Sequence, residues 1–227
     1  MAVNIIGISD IVYLNYFSTM VRSAAVNFPQ AKVLCHLINV PRKKQDDLKS
    51  LHPDIEVTTE SIRFKSWKPI RKYIYCANKR AELLCRAVGR GEALLYLDAD
   101  SIIRKQCVEL VDILSSCDIT VKEKKKKHGL KARHGRFSAG IIGFGKGLIV
   151  KEFIKRYAYI VEHDLNSYSD QYNLYEVYRE FKDRINYVPL PERFCDTRLS
   201  NDGVIWNGKS SRKTTAKYKK EMKKYAR

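Results

Sequence analysis

The chain has 227 residues, of which 44% are hydrophobic and 30% charged, with a formal net charge of +18 at pH 7. This size and composition suit one substantial folded core of α/β type and exclude an intrinsically disordered chain. The positive excess predicts an anionic ligand, substrate or surface, with nucleic acid, acidic membrane and phosphate-rich small molecules all in range.

The first residues, Met1-Ala2-Val3-Asn4-Ile5-Ile6-Gly7, carry no basic region and meet Asp10 early, so they read as a strand over Val3–Ile8 rather than a signal peptide. Ser9-Asp10 is placed to cap a helix running to about Phe28, where Pro29 stops it. A second strand is expected over Lys32–Asn39, a short polar helix from Pro41 to about Leu51, and a third strand over Ile55–Thr58. Ser66-Trp67-Lys68-Pro69 reads as the start of a helix. Its apolar residues, from Ile70 and Tyr73 to Leu84 and Val88, recur at three-four spacing until Gly89-Arg90-Gly91 ends it. The strand Ala93–Leu97 follows and runs directly into Asp98-Ala99-Asp100.

Strand and helix thus alternate through the first hundred residues, which predicts a largely parallel sheet with right-handed crossovers. Ligands of such sheets bind beyond the carboxyl ends of the strands. The Ser9-Asp10 loop and the Asp98/Asp100 pair both fall there. In the second half a short helix is expected over Cys107–Leu114, a strand over Asp118–Val121, a basic loop over Lys122–Arg136 and a strand over Phe137–Phe144. Helices are expected over Leu148–Asp164 and Ser169–Phe181. A looped region punctuated by Pro189, Pro191, Gly203 and Gly208 comes next, then a basic tail of helical composition over Arg212–Arg227. No apolar run approaches the ~20 residues that span a bilayer. The six cysteines form no C-x-x-C pair and several lie in apolar runs, as buried free thiols of a reducing compartment do. A cytoplasmic location is expected, in the host cytoplasm for a viral protein.

A buried strand that ends in two carboxylates needs something to compensate their charge. A divalent cation that also holds a diphosphate is one answer, and magnesium or manganese suits oxygen ligands of this kind. A phosphoryl-transfer nucleophile of the haloacid-dehalogenase type is a second, since that motif is also a strand ending in D-x-D. The later acidic loop of those phosphatases has no counterpart here. A third is structural: surface acids capping a turn.

The segment Leu95-Tyr96-Leu97-Asp98-Ala99-Asp100 resembles the D-x-D strand of nucleotide-sugar glycosyltransferases of the GT-A fold, especially the glycogenin/galactosyltransferase-like group. Three more segments match in order. Ile6–Tyr13 is similar to the first strand and loop that hold the nucleotide base. Phe137-Ser138-Ala139-Gly140 resembles the strand beside the donor sugar, and Ser169-Asp170-Gln171 resembles the "D-Q" helix start whose acid faces the reacting sugar. The resemblance implies a single GT-A-like, Rossmann-like α/β domain over residues 1–208, with a mostly parallel central sheet flanked by helices, followed by a basic tail over residues 209–227. It implies a hexosyl- or pentosyltransferase that takes its sugar from a nucleoside-diphosphate sugar with Mn2+ or Mg2+. Asp170 becomes the catalytic candidate. Asp98, Asp100 and Asn207 become metal ligands. The donor is assigned to Ile8, Ser9, Asp10, Tyr13, Lys79, Arg80, Asp98, Ala99, Ser138, Gly140, Gln171, Gly208 and Lys209. Two positions depart from the pattern: Ser138 stands where asparagine is usual, and Asn207 where a metal-binding histidine is usual, with Asp196 and Asp202 as alternative ligands. A sugar-phosphate nucleotidyltransferase is disfavoured, because the first strand lacks a glycine-rich loop followed by arginine.

The charge is concentrated. Residues 122–136 hold eight lysines and arginines against Glu123, and residues 209–227 hold nine against Glu221. A sugar nucleotide does not require so much. The surplus points to a polyanionic acceptor or surface: DNA bearing a modifiable base, an acidic glycan or anionic lipid. The rival of another class is a non-enzymatic, basic nucleic-acid-binding protein. His128 and His134 sit among the lysines of the loop and read as loop residues rather than bases.

Overall fold

Alternation of apolar side chains puts Val3 and Ile5 on one face of the first strand and Ile6 and Ile8 on the other, and all four are buried. A strand buried on both faces must lie inside a sheet covered twice. The computed structural model describes residues 1–63, 69–124, 136–163 and 170–226, with the side chains of 69–73 left aside. The expected helix start at Ser66-Trp67-Lys68, the loop residues 125–135 with His128 and His134, and Ser169 lie outside the described residues.

The elements follow in the order β1 (Val3–Asp10), α1 (Leu14–Asn27), β2 (Lys32–Ile38), α2 (Arg42–Lys49), β3 (Ile55–Glu60), α3 (Pro69–Ala87), β4 (Ala93–Leu97), β5 (Ser101–Ile103) and α4 (Val108–Ser116). Then come β6 (Ile119–Glu123), β7 (Phe137–Phe144), α5 (Leu148–His163), α6 (Asp170–Phe181), β8 (Tyr187–Pro189), β9 (Ile205–Asn207) and α7 (Ala216–Lys224). The helix expected to stop at Pro29 does so after Asn27, and Gly91 in the left-handed region (φ 75°) closes the turn after α3.

Seven strands form the central sheet in the order β3-β2-β1-β4-β7-β6-β8. Only β7 runs against the rest, so the sheet is mostly parallel, as expected. Phe17, Met20 and Leu110 pack on one face of it and Leu84, Phe153 and Leu174 on the other. Three short strands were not foreseen. β5, β8 and β9 have three residues each, too few to show a period. β5 and β9 pair antiparallel as a separate ribbon. The basic segment after Gly208 folds back on this ribbon, where Tyr218 and Tyr225 of the last turns join Ile102, Leu199 and Trp206 in a third core. All six cysteines are free. No helix among the described residues is long and apolar enough to cross a membrane.

Candidate active site

The reversed strand β7 explains where the acids stand. Because it runs antiparallel to β4, its early residues lie beside the carboxyl end of β4, and the backbone N–H of Asp98 donates to the Gly140 carbonyl at 2.9 Å. The chain then turns, with Ser101 N–H donating to the Asp98 carbonyl at 2.9 Å, and enters β5. Two carboxylates are thereby held at the carboxyl end of the sheet, with Asp98 beside Gly140.

Each acid has a cation. Arg80, buried on α3, lies with Nη2 3.0 Å from Asp98 Oδ1 and Nη1 2.8 Å from Asp170 Oδ2, and its guanidinium covers the Tyr96 ring at 4.2 Å. One guanidinium therefore bridges the D-x-D turn and the first residue of α6. Burial opposes its charge, but Asp170, Tyr96 and Asp98 more than compensate and hold its pKa well above the usual value. The Tyr157 hydroxyl lies 3.5 Å from the same Asp170 oxygen. Burial drives the Asp98 carboxyl up to about 6, with Arg80 opposing and Asp100 and Asp170 adding to the rise. Asp100 instead meets Lys213, whose Nζ is 3.2 Å from Asp100 Oδ2 and donates to the Tyr13 hydroxyl at 3.1 Å. Burial disfavours the Lys213 ammonium, yet its contacts to Tyr13 and Asp100 raise its pKa.

The Asp100 carbonyl accepts from Gly208 N–H and from the Tyr218 hydroxyl, both at 2.8 Å. Next to it, Asn207 is 1% exposed. Its Oδ1 accepts from Lys209 N–H at 3.1 Å, while its Nδ2 is buried without a partner. A methyl group on Gly140 would lie 2.7 Å from that nitrogen and 2.9 Å from Asp98 Oδ2. Only glycine leaves the two side chains room to converge. Among the described residues, no three side chains of the types His, Cys, Asp and Glu form a group that could hold a metal ion. Two carboxylates and an amide, with no thiol or imidazole, suit a hard divalent cation. The orphaned amide nitrogen would donate to a water on that cation or to a phosphate oxygen.

These residues line a cleft of about 540 Å³ beyond the carboxyl ends of β1 and β4. Of the sequence-derived candidates, Ile8, Ser9, Asp10, Tyr13, Arg80, Asp98, Ala99, Asp100, Ser138, Gly140, Asp170, Gln171, Asn207 and Lys209 all face it. Asp10 also holds the turn into α1, its Oδ1 accepting from the N–H groups of Val12 and Tyr13 at 3.0 Å. Two candidates lie off the cleft. Lys79 is drawn away into ion pairs with Glu60 (2.9 Å) and Glu82 (2.6 Å). Gly208 packs under Tyr218, whose ring would stand 2.9 Å from a Cβ there. Asp196 is spent on its own loop, accepting from Arg198 N–H, Ser200 N–H and the Ser200 hydroxyl. Cys76, Ala77, Tyr96, Ser210 and Lys213 line the cleft without having been singled out as site residues. Lys213 is one of many basic residues in its segment, and nothing in composition separates it. The one local sign is Ser210, held at φ 60° in the turn that returns Lys213 to Asp100.

No family model matches the chain, and no curated protein sequence matches it. Solved structures do. The galactosyltransferase LgtC, in complex with donor and acceptor sugar analogues, matches over 99% of this chain and 96% of its own at a TM-score of 0.68 and 15% identity. The bifunctional glycosyltransferase WbbM matches over 99% of this chain and 50% of its own at 0.69 and 14%. The glycosyltransferase GlyE of Streptococcus pneumoniae matches over 98% and 59% at 0.60 and 14%. The chain thus spans nearly all of LgtC and about half of WbbM. At these identities the likeness is one of fold: the chain has the GT-A-like fold expected from its sequence.

Proposed function

We propose that this protein is a metal-dependent glycosyltransferase that moves a sugar from a nucleoside-diphosphate sugar to an acceptor hydroxyl or amine. The observation that carries the proposal is the convergence of Asp98 and the half-satisfied Asn207 amide on Gly140, with Asp100 lining the same cleft at the carboxyl edge of a GT-A-like sheet. Asp98 and Asp100 would hold Mn2+ or Mg2+, with the Asn207 amide nitrogen donating to a water on that cation. That cation would supply charge neutralisation on the leaving diphosphate. Lys213, paired with Asp100, and Lys209 both line the cleft and add fixed positive charge there. Tyr13, 37% exposed at the cleft mouth, offers a ring for a nucleobase. Asp170, oriented by Arg80 and Tyr157, presents a carboxylate toward the donor-sugar side, beside Ser138 and Gln171. Its task would be to stabilise positive charge developing at the sugar carbon or to take the acceptor proton. The fold likeness gives no support to a haloacid-dehalogenase-like phosphatase.

The test is calorimetric titration of nucleoside diphosphates with and without Mn2+. Binding that requires the metal and is lost in Asp100→Asn is expected. Metal-independent binding, or binding untouched by D100N, would overturn the proposal. The same experiment distinguishes the base, and a screen of nucleotide sugars for Mn2+-dependent hydrolysis then names the donor.

A further inference from the structure

We infer that α7 and the aliphatic residues at its two ends form a docking surface for an anionic lipid bilayer. The helix is amphipathic in an unusual sense. Its inward side, Tyr218, Glu221, Met222 and Tyr225, is consumed by the protein. Its outward side carries Lys217, Lys219, Lys220, Lys223 and Lys224, and the helix has no exposed acid. Lys224 pairs with Glu221 and Lys217 lies over the Trp206 ring, but Lys219, Lys220 and Lys223 make no ion pair among the described residues. Such crowding of like charge disfavours the helix on its own, and an anionic surface relieves it.

Apolar contact is supplied from outside the helix. Ile11 and Val12, 46% and 67% exposed, precede Tyr13, which Lys213 ties to the segment leading into α7. The rings Tyr13, Tyr16 and Tyr218 follow one another at 6.0 and 6.2 Å, so this loop and the start of α7 share a rim. At the other end Val26, 66% exposed, precedes Asn27, whose amide donates to the Tyr225 hydroxyl at 3.1 Å. Polybasic charge flanked by exposed aliphatics is the composition of a peripheral membrane surface. Nucleic acid fits less well. The outward face of α7 has no arginine, the side chain suited to forked phosphate and base contacts, and the most exposed rim residues, Val12 and Val26, are aliphatic, while the ring of Tyr13 lines the cleft. Docked this way, the cleft mouth at Val12 and Tyr13 opens beside the lipid headgroups. The inference does not rest on the proposed activity.

Cosedimentation of the full chain with vesicles of equal parts phosphatidylcholine and phosphatidylserine, against phosphatidylcholine alone, tests it. Binding only to the anionic vesicles, weakened by salt, is expected. Neutralising Lys219, Lys220 and Lys223 together to glutamine should reduce it on the order of a hundredfold, and Val26→Ser by about tenfold. Circular dichroism and a urea midpoint verify that these surface variants fold. Equal binding to both vesicles, or none to either, overturns the inference. So does a salt-sensitive complex with duplex DNA that the lysine variant loses while vesicles are ignored, which would assign the face to nucleic acid.

Discussion

Arg80 is the residue on which both acids of the inner cleft depend. Its guanidinium is buried between Asp98 and Asp170, so removing it strands two carboxylates at once. Breaking a buried ion pair costs about 3–5 kcal/mol, and Arg80→Met is expected to lose stability in that range by urea denaturation. Arg80→Lys keeps the charge but cannot fork to both acids. It should fold better than R80M yet leave the acid side of the pH profile altered. The sign follows from Asp98. Its carboxyl is raised to about 6 by burial, so protonation favours the folded form, and Asp98 opposes folding as pH rises through 6. The proposed Mn2+-dependent binding would need the carboxylate and should weaken by up to about tenfold per pH unit below 6. A lysine that cannot reach both acids opposes burial less than Arg80 does, so R80K should move that limb to higher pH. Gly140→Ala probes the same point from below. Its methyl group would press on Asn207 and Asp98, so metal-dependent nucleotide binding should fall by tenfold or more, read by calorimetry.

Among the elements, β3 is tied to the turn after α3 by Arg90, which holds Glu56 through two hydrogen bonds at 2.7 and 2.9 Å. Those bonds, then charge, lower the Glu56 pKa to about 2. Its contribution is present above the ordinary value near 4.5 and is lost as pH falls through 2. Because both groups are more than a third exposed, Glu56→Gln should cost at most about 1 kcal/mol at pH 7 and only a small fraction of that at pH 2, by denaturant unfolding at the two pH values. Elements of this length were legible from sequence. β1, β2, β4 and β7 and the long helices announce themselves by period and by proline or glycine at their ends, and the D-x-D turn announces itself by the burial of the strand before it. What escaped was set by distant partners. The ribbon strands are too short to carry a period. Lys79 and Arg80 are adjacent and equally basic, and only the position of Glu60 on β3 and of Glu82 one turn along the same helix turns one away from the cleft. Lys213 reaches Asp100 only because Ser210 accepts a left-handed backbone. That strain is worth about 1 kcal/mol, so Ser210→Gly should raise stability by a similar amount in urea.

At the scale of the molecule, the segment beyond Gly208 is a wall of the cleft as well as a source of charge. Tyr218 reaches from α7 to the Asp100 carbonyl, so the helix that carries the lysines also braces the acid pair. Tyr218→Phe removes one of the two donors to that carbonyl and should cost about 1 kcal/mol in a urea titration. The same wall contains Trp206, directly before Asn207. Its ring is covered by Arg104 at 3.8 Å and approached by Lys217 at 5.6 Å, and its indole N–H donates to the Ser200 carbonyl at 2.8 Å. The chain has one other tryptophan, Trp67. With that residue changed to phenylalanine, Trp206 becomes a lone fluorophore wired to both the Asn207 amide and the lysine helix. Its emission would then follow nucleotide binding and vesicle docking as two optical signals from one native side chain, with no label attached.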